Sequence, residues 1–164
     1  MYPALLVTNP EIALGSILQY RVNLAAGASR KARSYHAGYE GYMFPWESAY
    51  TGQEACPYNA TGWNISTGMI EQHVTGDVAF AFKQYWQLTN DTAWLDQSTH
   101  YPTYSYYDVS YLLIDWYIIL GIAKFWASRV TFNNATQAYE INGVIPPDEF
   151  VYNVNNSGIF YLST

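Results

Sequence analysis

A mainly α-helical fold with one short β-hairpin is predicted by three features of the sequence. Two segments carry apolar residues at three- and four-residue steps, and a third apolar stretch around residue 120 is too long for a strand. Only residues 129–145 show short strand-like runs on either side of a turn. Half of the 164 residues are hydrophobic, so the chain can bury a core and is not a disordered tail. No nucleotide-binding glycine loop, heptad pattern or short repeat is present, and the helix–loop–helix units recur at long spacing.

Asn9-Pro10 predicts a helix start with proline in the first turn. The helix runs to about Tyr35 and buries Ile12, Ile17, Leu18, Tyr20, Val22 and Leu24. A loop from His36 to about Thr67 follows, punctuated by glycine and proline and rich in aromatic residues; loops of this length are mostly functional. A second helix spans about Met69 to Leu88, with Ile70, Val74, Val78, Ala81, Tyr85 and Leu88 on one face. Thr89-Asn90-Asp91-Thr92 stops it, and Asp91 caps a short helix containing Trp94 and Leu95. Ser98 to Asp115 is dense in Tyr and Ser and lacks periodicity until Val109. A third helix covers about Leu112 to Ser128. The apolar run Tyr111 to Ala127 around it is broken by Asp115 and Lys124 and is too short to span a membrane, so it reads as buried helix. Strands at Arg129 to Phe132 and Tyr139 to Ile145 flank the turn Asn133-Asn134-Ala135-Thr136, and the second leads into Pro146-Pro147-Asp148-Glu149.

A net charge of −6 and no basic cluster beyond Arg30, Lys31 and Arg33 argue against a nucleic-acid partner. The single cysteine, Cys56, forms no internal disulfide and reads as buried packing. Nothing in the sequence calls for a metal or an organic cofactor. Five Asn-X-Ser/Thr sequons, at Asn59, Asn64, Asn90, Asn134 and Asn155, exceed the roughly two expected by chance and predict an extracellular or vacuolar parent protein; no signal peptide is visible at Met1-Tyr2-Pro3. The 17 Tyr and 6 Trp exceed what a core needs, so some rings are expected to line a cleft.

Three groups of residues are candidates for chemistry. Glu149 follows two prolines that stiffen its approach, although by spacing alone an Asp-Glu pair after a turn is more often a solvated helix start. Trp46, Glu47 and Ser48 put an indole, a carboxylate and a hydroxyl on a proline-held loop, the groups needed to stack a sugar ring and bond its hydroxyls, or a ring that plugs the core. His73 and Asp77, four apart on one helical face with Glu71 nearby, are a polar group aimed into a cavity or a structural histidine with its partner.

The strings MFPWESAYTGQEACP (residues 43–57), EQHVTGDVAFAFKQYWQLTNDTAWL (71–95), GIAKFWASRV (121–130) and YEINGVIPPDEF (139–150), in this order, resemble glycoside hydrolase family 65. That family holds acid trehalases, protein-glucosylgalactosylhydroxylysine glucosidases and several disaccharide phosphorylases. The resemblance implies an (α/α)6 barrel of six-hairpin glycosidase type and inverting cleavage of an α-glucosidic bond. It makes Glu149 the general acid and Trp46, Glu47 and His73 contacts to the bound glucosyl unit. The expected parent activity is of acid trehalase type, α,α-trehalose and water giving glucose; the alternatives are the hydroxylysine-linked glucosidase, a disaccharide phosphorylase, or a carbohydrate-binding remnant without catalysis. No nucleic acid and no membrane span enter this reading, and the partner is a small α-glucoside.

An (α/α)6 barrel has twelve helices and needs far more than 164 residues. Residues 1–164 therefore read as a central fragment of the catalytic domain that cannot close the barrel and is inactive alone. Residues 98–115 read as an atypical insert, and 158–164 as an aberrant tail.

Overall fold

In a computed structural model, residues 2–35, 38–56, 67–91, 114–148 and 150–157 are described, with only the backbone described at 114–116. The fold is mainly helical with one two-stranded antiparallel sheet. Helix α1, Tyr2–Thr8, precedes the predicted start and buries Leu6. Its Tyr2 hydroxyl donates to the Ala81 carbonyl (2.9 Å), which docks it on the long helix described below. Asn9 does begin a helix: its side chain accepts from the Ile12 amide and Pro10 follows at the first position.

The helix predicted to run unbroken to Tyr35 is four pieces: α2 (Pro10–Ile12), a π-helical segment (Ala13–Leu18), α3 (Gln19–Asn23) and, after a bend at Leu24, α4 (Ala25–Ser34). A π turn carries an extra residue and rotates the following face by about 100°. Leu18, Val22 and Leu24 consequently lie in the core as predicted, while Ile12 is exposed.

The predicted loop contains no helix or strand over residues 38–56 apart from one bridge between Ser48 and Glu54. It crosses the core closely, the Tyr42 amide donating to the Gly121 carbonyl (2.9 Å) and the Met43 amide to the Ala28 carbonyl (3.2 Å). A Cβ on Gly121 would meet the Tyr42 ring at 2.2 Å, so only glycine permits this crossing. Cys56 is part-exposed, not buried as predicted, because it lies at the outer end of this loop.

The second predicted helix is interrupted. Helix α5 (Thr67–Ile70) stops at Glu71 and Gln72, and α6 runs His73–Thr89 to a left-handed Asn90. Both interrupting side chains turn inward and are fully buried, a demand that one continuous amphipathic face does not express. The buried face of α6 is Thr75, Gly76, Val78, Phe82 and Tyr85; Leu88, predicted on it, is half exposed beyond the end of the core. Helix α7, Ile114–Arg129, supplies Ile118 and Ile122 to the core shared with α6 and α3, and Phe125 to a second cluster with Ala32 and Met43.

Strands β1 (Thr131–Asn133) and β2 (Ala138–Glu140) pair with Phe132 opposite Tyr139. They are shorter than predicted at both outer ends. Arg129 still belongs to α7, and the chain leaves the ladder after Glu140, pairing instead through Val144 and Val154. Among the described residues no helix is long and apolar enough to cross a membrane. The short helix at Trp94 that Asp91 is expected to cap, the insert up to residue 113 and the tail at 158–164 lie outside the described residues.

Candidate functional site

The break between α5 and α6 gathers polar groups inside the fold. Glu71 has no exposed surface, and its Oε2 lies 2.7 Å from His73 Nε2. The other ring nitrogen, Nδ1, is 2.9 Å from Asp77 Oδ2 one turn along α6, the contact that the four-residue spacing predicts. Glu71 joins them from outside the helix, across the break. Burial alone opposes charging the imidazole, but the hydrogen bond and charge of Asp77, together with Glu71, outweigh it, and the His73 pKa is raised. The ring bridges a buried and an exposed carboxylate, and both carboxylates favour its protonated form.

Next to it, Gln72 is fully buried and accepts from Arg129 Nε at 2.6 Å. The same guanidinium donates to the Asn142 carbonyl and lies over the Tyr39 ring at 5.6 Å. The Ile145 amide donates to the Ile70 carbonyl (3.1 Å). The chain from Asn142 to the buried Val144, Ile145 and Pro146 is therefore fixed against the helix break by two independent ties. Asp148 is exposed at the far end of this stretch, and Glu149, the next residue, lies outside the described residues.

The loop carrying Trp46 and Glu47 reaches the same helix. The Phe44 amide donates to Thr75 Oγ1 in the first turn of α6 (3.0 Å). Trp46 is part-buried and Glu47 exposed, and one carboxylate orients both, since Glu54 accepts from the amides of Trp46 and Glu47 at 2.9 Å each. It accepts as well from Lys31 Nζ at 2.6 Å, a buried ion pair. Burial lowers the Lys31 pKa, and the hydrogen bond and charge of Glu54 oppose that shift. Ser48, predicted as a sugar-binding hydroxyl, instead meets the Tyr20 hydroxyl (3.0 Å) and Arg21 (3.2 Å), so it fastens the loop to α3. A groove of about 350 Å³ between α1, the π-helical segment and α6 is lined mainly by apolar groups, with Arg21 and Asp77 on its wall.

The structure thus brings the loop that carries Trp46 and Glu47 to the first turn of α6, where His73 stands, through Phe44 and Thr75. Of the sequon asparagines, Asn59 and Asn64 lie outside the described residues, Asn90 ends α6, and Asn134 and Asn155 are exposed on and near the hairpin. Among the described residues no group of His, Cys, Asp or Glu could hold a metal ion. Sequence reasoning missed Glu54, Gln72, Lys31 and Arg129. Their signal is conditional on the fold, a charged or amide side chain falling where packing buries it, and no local spacing announces it.

Residues 1–162 match the family model described as the glycosyl hydrolase family 65 central catalytic domain. A protein-glucosylgalactosylhydroxylysine glucosidase from Dictyostelium discoideum is 45% identical over 158 residues, 96% of this chain and 19% of the relative. A kojibiose hydrolase from Flavobacterium johnsoniae is 41% identical over 96% of this chain and 19% of its own length. The chain thus spans about a fifth of the curated relatives it matches. A solved structure from the human microbiome, assigned as a kojibiose phosphorylase, shares the fold with a TM-score of 0.72 at 22% identity, covering 99% of this chain and 19% of that one.

Proposed function

Because the chain belongs to glycosyl hydrolase family 65, through that family's central catalytic domain, we propose that it is part of an enzyme that hydrolyses an α-glucosidic bond with inversion. Glu149 is the general acid in this reading. The observation that carries it is the double fastening of the segment leading to Glu149, through Arg129 to Asn142 and through Ile70 to Ile145, beside the buried Glu71 and the His73 imidazole. An acid that protonates a leaving oxygen must be held to a fraction of an ångström, and a proline pair following a segment tied at Asn142 and Ile145 supports that reading. Trp46, Glu47 and His73 bind the glucosyl unit, the indole by stacking and the polar groups through its hydroxyls. The attacking water comes from the opposite face, activated by a carboxylate contributed from outside these residues. The fold is read as part of an (α/α)6 barrel whose remaining helices close the site.

The relatives described above act on a glucosylgalactosylhydroxylysine unit and on kojibiose, and none of them is a trehalase. The substrate proposed is accordingly an α-glucoside of one of those two kinds, with α,α-trehalose, the first expectation from sequence, as the alternative. Hydrolysis is preferred to phosphorolysis because the two relatives of higher identity are hydrolases by name. The sequons support an extracellular or vacuolar site of action.

The test is a chimera in which residues 1–157 replace the matching segment of the Dictyostelium relative. Glucose release from a glucosylgalactosylhydroxylysine peptide, kojibiose and trehalose is measured with and without phosphate, beside the 164-residue chain alone, which is expected to be inactive. Glu149→Gln should lower kcat about 10²- to 10⁴-fold with binding retained. Unchanged turnover in that variant would remove Glu149 from the mechanism, and glucose 1-phosphate as product would make the enzyme a phosphorylase. Sugar binding without turnover in the unmutated chimera would favour a binding remnant.

A further inference from the structure

The hairpin that leads into the Glu149 segment carries a second feature that the proposed chemistry does not use. Its tip, residues 134–137, projects from β1 and β2 and is exposed throughout. Asn133 Oδ1 accepts from the amides of Ala135 (2.8 Å) and Thr136 (3.4 Å), which fixes the turn, and Gln137 closes it in a left-handed conformation at φ 55°. Gln137 Nε2 then ties back to the Asn134 carbonyl at 2.8 Å. Every polar side chain of the turn is thereby engaged except Asn134, whose amide makes no hydrogen bond among the described residues.

Two positions before Asn134, in the middle of β1, stands Phe132. Its ring meets Tyr139 across the ladder at 5.1 Å in an edge-on arrangement, and both rings stay exposed, at 44% and 66%. Among the described residues this aromatic pair joins neither core cluster, and a sugar's apolar face is the kind of surface that covers such a ring.

We infer that Asn134 is an N-glycan acceptor whose first N-acetylglucosamine packs on Phe132. In the transfer, Asn134 Nδ2 forms a bond to C1 of the sugar of a lipid-diphosphate-linked oligosaccharide. The bond from that C1 to the diphosphate breaks, the lipid diphosphate leaves with the electron pair, and the amide proton passes to a base of the transferring enzyme. Thr136, two residues on, completes the acceptor motif. The other described sequons are placed differently. Asn155 uses its Oδ1 to hold the Gly143 amide (3.0 Å), and Asn90 is the left-handed cap of α6; neither has an aromatic residue two positions before it, those places being taken by Asn153 and Leu88. The inference is independent of the proposed hydrolysis and would stand if the chain proved to be a phosphorylase or a binding module.

The full chain, fused to a secretion leader and expressed in a eukaryotic host, provides the test. Attachment occurs during synthesis, so occupancy is read by mass spectrometry on total cell material after enzymatic deglycosylation in heavy-oxygen water, whatever fraction is secreted. Asn134 is expected to be occupied, and Thr136→Ala to abolish that signal while leaving the other sites as they were. An unmodified Asn134 overturns the inference, whether or not other sequons carry glycan. Packing on Phe132 is read separately: amide exchange at residues 131–140 should slow about two- to tenfold in the glycosylated form relative to the same protein after deglycosylation. Phe132→Ala should erase that difference and Phe132→Trp restore it. Equal exchange in the two forms of the unmutated chain overturns the packing.

Discussion

Arg129 is the last residue of α7 and nearly all of it is buried, yet each direction it faces offers a partner: Gln72, the Asn142 carbonyl and the Tyr39 ring. Replacing it by Met roughly keeps the volume and strands one buried and one part-buried acceptor. The expected loss is about 3 kcal/mol of unfolding free energy, measured by urea denaturation. His73 makes a second statement at this scale. Its pKa is raised in the fold, so its contribution to stability is complete below the ordinary histidine value and is lost as pH rises through the higher folded value. Urea midpoints collected between pH 5 and 9 should fall across that upper range, and His73→Gln should flatten the fall; an unchanged slope would detach His73 from it. Both residues show why part of the site was illegible. The four-residue spacing of His73 and Asp77 was visible in the sequence, because it lies within one helix. Arg129 and Gln72 are 57 positions apart, and no local pattern pairs them.

At the scale of elements, regular helices were readable and their interruptions were not. Helix α7 and the hairpin turn follow from apolar run length and turn residues, and their ends differ from expectation by a few positions. The π-helical segment and the break at Glu71 and Gln72 arise from tertiary demands, and periodicity smooths over both. The crossing of the 38–56 loop over α7 is equally silent in sequence, since glycine at 121 reads there as a mild helix weakener. In the fold it is a contact surface for Tyr42. Gly121→Ala should improve helix propensity and still destabilise the protein, by about 1–3 kcal/mol, because the new Cβ enters the tyrosine ring. A thermal melt decides it: a rise in Tm would show that the loop can retreat without cost.

At the scale of the molecule, composition and segment order were enough for a mainly helical class and for the family resemblance. Substrate was beyond reach, because the chain spans only about a fifth of the curated relatives it matches. For the same reason the Glu149→Gln experiment is placed in a chimera. The groove beside Arg21 and Asp77 and the exposed Val7 and Ile12 on the first helices are apolar surface that a longer chain has reason to cover. The tie between Ile70 and Ile145 has a further consequence during synthesis. Its two halves are 75 residues apart in the chain, and at about 5–20 residues per second the ribosome takes roughly 4–15 s to deliver the second after the first. Throughout that interval the Ile70 carbonyl lacks the Ile145 amide that later bonds it. The tie is therefore completed late, and a nascent chain meets chaperones with the Ile70 carbonyl still hydrated.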